Sequence, residues 1–186
     1  MSLTPSTMPD LGTQLPAFEL PSTDGRVIDP TSFRDSKALL VAFWCNHCPY
    51  VQHIREGFSD FAREYQARGL AIVAISSNDL STHPDDSPEM MKIEAEQHEF
   101  PFPYLYDETQ EVARAFQAAC TPDFFLYDGQ QQLVYRGQFD ASRPGNSSPV
   151  TGSDLRAAVD AVLGGRSVDG AQIPSIGCNI KWKPGN

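Results

Sequence analysis

Ala38-Leu39-Leu40-Val41-Ala42-Phe43-Trp44-Cys45-Asn46-His47-Cys48-Pro49-Tyr50 sets seven consecutive apolar residues directly before two cysteines separated by two positions. An unbroken apolar run of this length predicts a strand covered on both faces. Pro49 suits the first position of a helix, because the N–H it lacks would have had no helical partner. Val51, Ile54, Phe58, Phe61 and Tyr65 follow at spacings of three, four, three and four, and Gly69 marks the stop. Leu70 to Ile75 predicts a second buried strand, which completes a βαβ unit expected to be right-handed. Cys45 and Cys48 thus fall where the first strand hands over to the helix. There they are near enough to close a small disulfide, and the free N–H groups of the helical first turn would stabilise a thiolate. Packing alone is a poor reason for two cysteines at such a junction.

Composition narrows the reading without deciding it. A chain of 186 residues fits one domain, large enough to bury roughly 70 % of its unfolded surface. The 40 % apolar and 20 % charged content is ordinary for a globular protein. A formal charge of −10 argues against nucleic acid and against an anionic membrane surface as the main partner. No stretch approaches the roughly 20 apolar residues of a membrane span. Met1 to Leu15 is polar, with no basic region followed by an apolar block, so no secretory signal is expected and the expected compartment is the cytoplasm. The four cysteines, Cys45, Cys48, Cys120 and Cys178, are too few and too unevenly spaced for a secreted disulfide scaffold. A Cys-x-x-Cys beside a βαβ pattern reads instead as redox-active or metal-binding.

Outward from that unit, Phe18-Glu19-Leu20 and Val27-Ile28 flank Ser22-Thr23-Asp24-Gly25 as a hairpin with an Asp-Gly turn. Ser87-Pro88 opens a helix through about His98. Asp107 with Gln110 has the spacing of a capping pair ahead of Val112, Ala115 and Phe116. Asp123 to Tyr127 and Leu133 to Tyr135 form a second hairpin around Asp128-Gly129, and Ser153 is expected to cap a last helix ended by Gly164-Gly165. Four sheet strands interleaved with helices give an α/β chain with a central mixed sheet. The expected organisation is an N-terminal arm over residues 1–14, the domain over 15–165 and a C-terminal tail over 166–186 that packs on it.

With a strand ending in Phe43-Trp44, the Cys45-Asn46-His47-Cys48 motif, a long helix and a later Thr121-Pro122 before a hairpin, the chain resembles the thioredoxin-fold superfamily. The N-terminal hairpin and the inserted helix before Asp107 are similar to its peroxiredoxin-like group, related to the AhpC/TSA redoxins. Members of that group share a Cys-Asn-His-Cys-Pro-Tyr segment and an ending like Ser175-Ile176-Gly177-Cys178 followed by Lys181-Trp182-Lys183-Pro184-Gly185. The resemblance implies a thioredoxin-like fold with an N-terminal hairpin and an inserted helix, and a thiol–disulfide oxidoreductase or isomerase that works through a mixed disulfide. It implies no organic cofactor. Its partners would be a protein or small-molecule disulfide and an external thiol reductant.

By the same resemblance, His47 stabilises the thiolate and makes the couple more oxidising than the roughly −270 mV of thioredoxin. Thr121-Pro122 matches the superfamily's cis-proline, which packs on the active-site disulfide, and Trp44 and Pro49 frame the motif. Cys120 then lies on the loop facing the two cysteines as a possible third thiol. The nucleophile stays open at this level. Direct alignment of the Cys-x-x-Cys makes it Cys45, whereas ungapped alignment of Phe43-Trp44 makes it Cys48. With Pro49 at the first helical position Cys48 is the N-cap, where a thiolate gains most, and capping favours Cys48. Cys178 is explained without chemistry by a tail anchored through Ile176, Ile180 and Trp182.

Two alternatives use the same residue types. Peroxiredoxins set their cysteine in a Pro-x-x-x-Thr/Ser-x-x-Cys pattern. Counting back from Cys48 meets Cys45 and Val41 there, counting back from Cys45 meets Ala42 and Ala38, and Pro122 stands where the family keeps an arginine. Peroxidase activity is therefore expected to be weak. Copper or zinc on Cys45, Cys48 and a histidine is the other reading, but copper-binding relatives space their cysteines by three and add a remote histidine, and no histidine lies beyond His98. No metal ligand set is expected.

Overall fold

A computed structural model describes residues 3–185; Met1 and Ser2 of the N-terminal arm and Asn186 of the tail lie outside the described residues. The chain begins with β1 (Leu3–Pro5) and a small hairpin of β2 (Leu20–Pro21) and β3 (Val27–Ile28). Then come β4 (Ala38–Phe43), α1 (Pro49–Gln66), β5 (Leu70–Ser76), α2 (Pro88–Gln97), β6 (Tyr104–Tyr106) and α3 (Glu111–Ala115). The remainder is β7 (Cys120–Thr121), β8 (Asp123–Tyr127), β9 (Leu133–Gly137), α4 (Ser153–Leu163) and β10 (Ile176–Asn179). Five strands form a central mixed sheet in the order β6-β5-β4-β8-β9, parallel from β6 to β4 and antiparallel beyond it. A second, antiparallel sheet runs β1-β10-β7.

The apolar run before the cysteines is the middle of the molecule. Every residue of β4 is buried, and the period of two divides them between two cores. Leu40, Ala42 and Trp44 pack with Val51, Ile54, Phe58 and Phe61 of α1. Leu39, Val41 and Phe43 pack on the opposite side with Phe18, Phe116 and Phe125. The apolar face of α1 is the one its spacing predicts, and Pro49 is its first residue. Among the described residues no helix is long and apolar enough to cross a membrane.

Three expectations about local structure need correction. Beyond the strands expected, the sheets include β6, β7, β1 and β10, which are two to four residues long and show no periodicity to read. Ser153 is the first residue of α4 and not its cap. Gly152 holds the cap position at φ +68°, and a buried carboxylate outside the helix, Asp140, accepts from the N–H groups of Thr151 and Gly152 at 2.6 Å each. Asp107 and Gln110 do not cap each other across one turn either. The Asp107 carboxylate accepts from the N–H groups of Val112 and Ala113, while Gln110, at φ +64°, donates its amide to the carbonyls of Ser77 and Lys181. Gln110 thereby ties the C-terminal segment to the body.

Phe58 is the pivot of the α1-side core. Its ring lies 5.1 to 5.8 Å, centroid to centroid, from Trp44, Phe61, Phe102, Phe124 and Phe139. Phe58→Ala is expected to destabilise the fold by about 3–5 kcal/mol, read as a lower denaturant midpoint at unchanged slope.

Candidate active site

The end of β4 and the start of α1 position the first two thiols. Trp44 is fully buried and continues the parallel pairing through its N–H to the Ile75 carbonyl at 2.8 Å, with its ring 5.1 Å from that of Phe58. Cys48 is the N-cap of α1, extended at φ −74° and ψ 121°, and its carbonyl accepts from the N–H of Gln52 at 3.0 Å. Both cysteines of the motif are fully buried, and none of the four cysteines is in a disulfide.

Opposite them lies the Thr121–Pro122 segment, joined by a cis peptide bond. Cys45 Sγ is 3.2 Å from the Thr121 hydroxyl, and Cys48 Sγ is 3.2 Å from the Thr121 carbonyl oxygen. The other side of Thr121 is covered by β10, whose Cys178 is its antiparallel partner. This brings Cys178 Sγ to 2.6 Å from Cys48 Sγ. Cys120 does not join this group: its sulfur faces the Pro122 carbonyl at 3.6 Å. The thiols around Cys48 are therefore Cys45 and Cys178. The sequence treats Cys178 as part of a structural tail, and only the pairing of two short strands reveals otherwise.

The three sulfurs differ in acidity for identifiable reasons. The thiols of Cys178 and Cys45, each pointing at Cys48, hold it well below the ordinary thiol range, and the N–H groups of Val51 and Cys178 add to this against the opposing effect of burial. Burial pushes Cys45 up, as do its bond to Cys48 and the negative charge of Asp86, with the Thr121 hydroxyl acting the other way. Cys178 is raised by its bond to Cys48 and then by burial, with Lys181 opposing. Burial raises Cys120 as well. Of these thiols, Cys48 alone is shifted toward the thiolate.

His47 is anchored by Asp86, with a ring nitrogen within 4.8 Å of Cys45 Sγ. Its Nδ1 lies 2.5 Å from Asp86 Oδ2, and its ring lies 4.6 Å from that of His83, tilted by 37°. Asp86 is fully buried and also accepts from the N–H groups of Asn46 (2.8 Å) and His47 (3.3 Å) and from the Asn78 amide (2.8 Å). Burial opposes its ionisation, but the donors from His47, Asn78 and Asn46 outweigh it and keep the carboxyl below its ordinary value. Asn46 is further held by donating to the Asp85 carbonyl and accepting from the Tyr104 hydroxyl. Asp86 is thus the residue that shapes the loop between the two cysteines. In the sequence it is one aspartate in the polar stretch between Asn78 and Ser87, with no signal to single it out.

Cys45, His47 and Asp86 offer ligand atoms within 4.8 Å of one another, so a metal reading must be weighed on their chemistry. The donor set does not fit one. The Asp86 oxygens already receive the N–H groups of Asn46 and His47, the Asn78 amide and the His47 ring, and a cation there would face the positive ends of those dipoles. Cys48, the sulfur that is readily ionised, lies outside the triad.

Residues 11–136 match the AhpC/TSA family. The chain belongs to that family. A solved structure of a hypothetical protein from Sinorhizobium meliloti 1021 is 53 % identical, with a TM-score of 0.96 over 98 % of this chain and 100 % of that one. A thiol:disulfide interchange protein of the thioredoxin family from Chlorobium tepidum TLS superposes with a TM-score of 0.64 at 18 % identity, over 83 % of this chain and 99 % of that one. The fold of this AhpC/TSA member is accordingly thioredoxin-like, with the mixed sheet, N-terminal hairpin and additional α2 that its sequence implies. Among curated proteins, the thiol:disulfide interchange protein DsbE of Yersinia pestis is 27 % identical over 128 residues, 68 % of this chain and 63 % of that protein's length.

A lowered Cys48 pKa has a defined pH signature. The thiolate's contribution to stability is fully present above the unfolded thiol pKa of about 8.5 and is lost as pH falls through the lower folded value. One thiolate, seen as ultraviolet absorbance missing from Cys48→Ser, is expected to persist between about pH 8 and about pH 5. Absorbance fading around the ordinary thiol pKa would contradict the assignment of Cys48.

Proposed function

We propose that this AhpC/TSA-family chain is a thiol–disulfide oxidoreductase with Cys48 as its nucleophile. The observation that carries this reading is the position of Cys48: at the N-terminus of α1, with a lowered pKa and two neighbouring thiols directed at its sulfur. The Cys48 thiolate attacks one sulfur of a substrate disulfide, the substrate S–S bond breaks, and one substrate thiolate leaves. A second cysteine of the same site then attacks Cys48 Sγ and releases the other half of the substrate as a thiol. Two electrons pass from the cysteine pair to the substrate, and an external thiol reductant restores the pair. His47 and Asp86 act as positioning residues by setting the path of the loop that joins the two motif cysteines.

The relatives lend support in their own terms. The Yersinia pestis and Chlorobium tepidum proteins are both named for thiol:disulfide interchange. Peroxide reduction has less support, because the position three residues before Cys48 holds the Cys45 thiol in place of a hydroxyl.

Reduction of a chromogenic disulfide, measured beside hydrogen peroxide consumption, tests the reading. Wild-type protein is expected to turn over the disulfide faster than the peroxide, and Cys48→Ser to lose about 10³-fold or more of that activity. Saturable peroxide turnover outpacing disulfide turnover would replace the oxidoreductase reading with a peroxidase.

A further inference from the structure

We infer that Cys178, carried on the C-terminal strand β10, is the resolving thiol of this site, so that the oxidised protein carries a Cys48–Cys178 disulfide. The inference rests on the oxidoreductase reading above and identifies its second cysteine. Three independent features of the structure lead to it.

The first is proximity. The Cys178 and Cys48 sulfurs are 2.6 Å apart, near the ~2.05 Å of a disulfide bond, although 130 positions separate them in the chain. The second is a backbone made for that approach. A Cβ on Gly177 would sit 2.0 Å from the Thr121 carbonyl oxygen and 3.3 Å from Pro122 Cδ, so any larger residue would push β10 away from Thr121. Gly177 is not in the left-handed region, and the glycine serves close approach alone. On both sides of β10 the chain is fastened: Ser6 N–H to the Ser175 carbonyl, Ile180 N–H to the Ala119 carbonyl, Lys181 N–H to Asn78 Oδ1 and Lys183 N–H to Gln110 Oε1. A strand held this way presents Cys178 as a fixed component of the site.

The third feature separates Cys178 from Cys45. Once Cys48 is tied up in a mixed disulfide, the second thiol must lose its proton before it attacks. Cys45 Sγ lies within 4.8 Å of the Asp86 carboxylate, whose charge opposes a thiolate there, and its nearest bonded group besides Cys48 is the Thr121 hydroxyl. At Cys178 the Lys181 ammonium favours a thiolate, against burial and the neighbouring Cys120 sulfur. The ionic neighbours therefore oppose a thiolate at Cys45 and favour one at Cys178.

The step balances. Cys48–S–S–R is attacked by Cys178, the Cys48–S–S–R bond breaks, the Cys48–Cys178 bond forms, and R leaves as a thiolate. The proton lost by Cys178 passes to the thiolate released in the first step. For each substrate disulfide reduced, two cysteine thiols become one disulfide.

The test uses reduced wild-type protein and oxidised glutathione, with acid quenching during the first turnover, alkylation of the remaining thiols and tryptic mapping. Cleavage after Lys37 and Arg55 leaves Cys45 and Cys48 in one peptide, whereas Cys178 lies between cleavages after Arg166 and Lys181. The expected product is peptide 38–55 joined to peptide 167–181, with Cys45 alkylated. An internal disulfide in peptide 38–55 with Cys178 alkylated would overturn the role of Cys178 and leave the oxidoreductase reading intact. If glutathione never becomes attached to Cys48 and none is reduced, both fail. In Cys178→Ser, the glutathione adduct on Cys48 is expected to decay at least about ten-fold more slowly than in wild type. Gly177→Ala, which keeps every thiol, is expected to show the same accumulation, and decay at the wild-type rate in both variants would count against the inference.

Discussion

The antiparallel contact of Cys178 with Thr121 holds the site together. Thr121 is the point at which three parts of the chain meet: its hydroxyl faces Cys45, its carbonyl faces Cys48, and its backbone pairs with β10. Without Gly177 the pairing would be sterically blocked, since a side chain there has only the Thr121 carbonyl to occupy. Without the pairing, Cys48 would lose both the thiol and the N–H of Cys178, two of the groups that lower its pKa. The acidity of Cys48 is thus a property of the C-terminal strand as much as of the helix it caps.

The rest of the fold can be understood as support for that meeting. The six buried residues of β4, the central strand of the sheet, carry Trp44 and Cys45 to its C-terminal end with no freedom to shift, because alternate side chains are fixed in two separate aromatic cores. Asp86 does the equivalent work for the loop. A buried carboxylate is tolerable only with its oxygens fully engaged, and Asn46, His47 and Asn78 engage them, so the loop geometry and the charge stabilise each other. Burial and, to a lesser degree, the same charge raise Cys45 while Cys48 is lowered, so the two motif cysteines are unlike.

A broad apolar groove, about 1050 Å³, opens far from the thiols between the N-terminal hairpin and α3, lined by Phe18, Leu20, Tyr106, Val112 and Ala115. It belongs to the second core, on the face of β4 opposite α1. Around the thiols space is scarce: Cys45 and Cys48 are fully buried, and the Cys48–Cys178 sulfur contact lies within a packed interior.

Local pattern was sufficient for much of this protein. The run from Ala38 to Trp44, the periodicity of α1, Pro49 at its start and the Asp-Gly hairpin turns each encode their element within a few neighbouring residues, so the thioredoxin-like core and the Cys45/Cys48 junction were legible directly. Capping alone pointed to Cys48. The remaining features depend on partners distant in the chain. β7 and β10 are two and four residues long and exist because of their long-range pairing, Asp140 holds the turn that leads into α4, and Asp107 caps α3 from outside it. Asp86 organises a loop 39 and 40 positions away, and Cys178 lies 130 positions from the sulfur it touches. Spacing reports what neighbours along the chain will do. Which thiol faces which, and which carboxylate stands beside Cys45, is decided only when the folded chain brings those distant groups into contact.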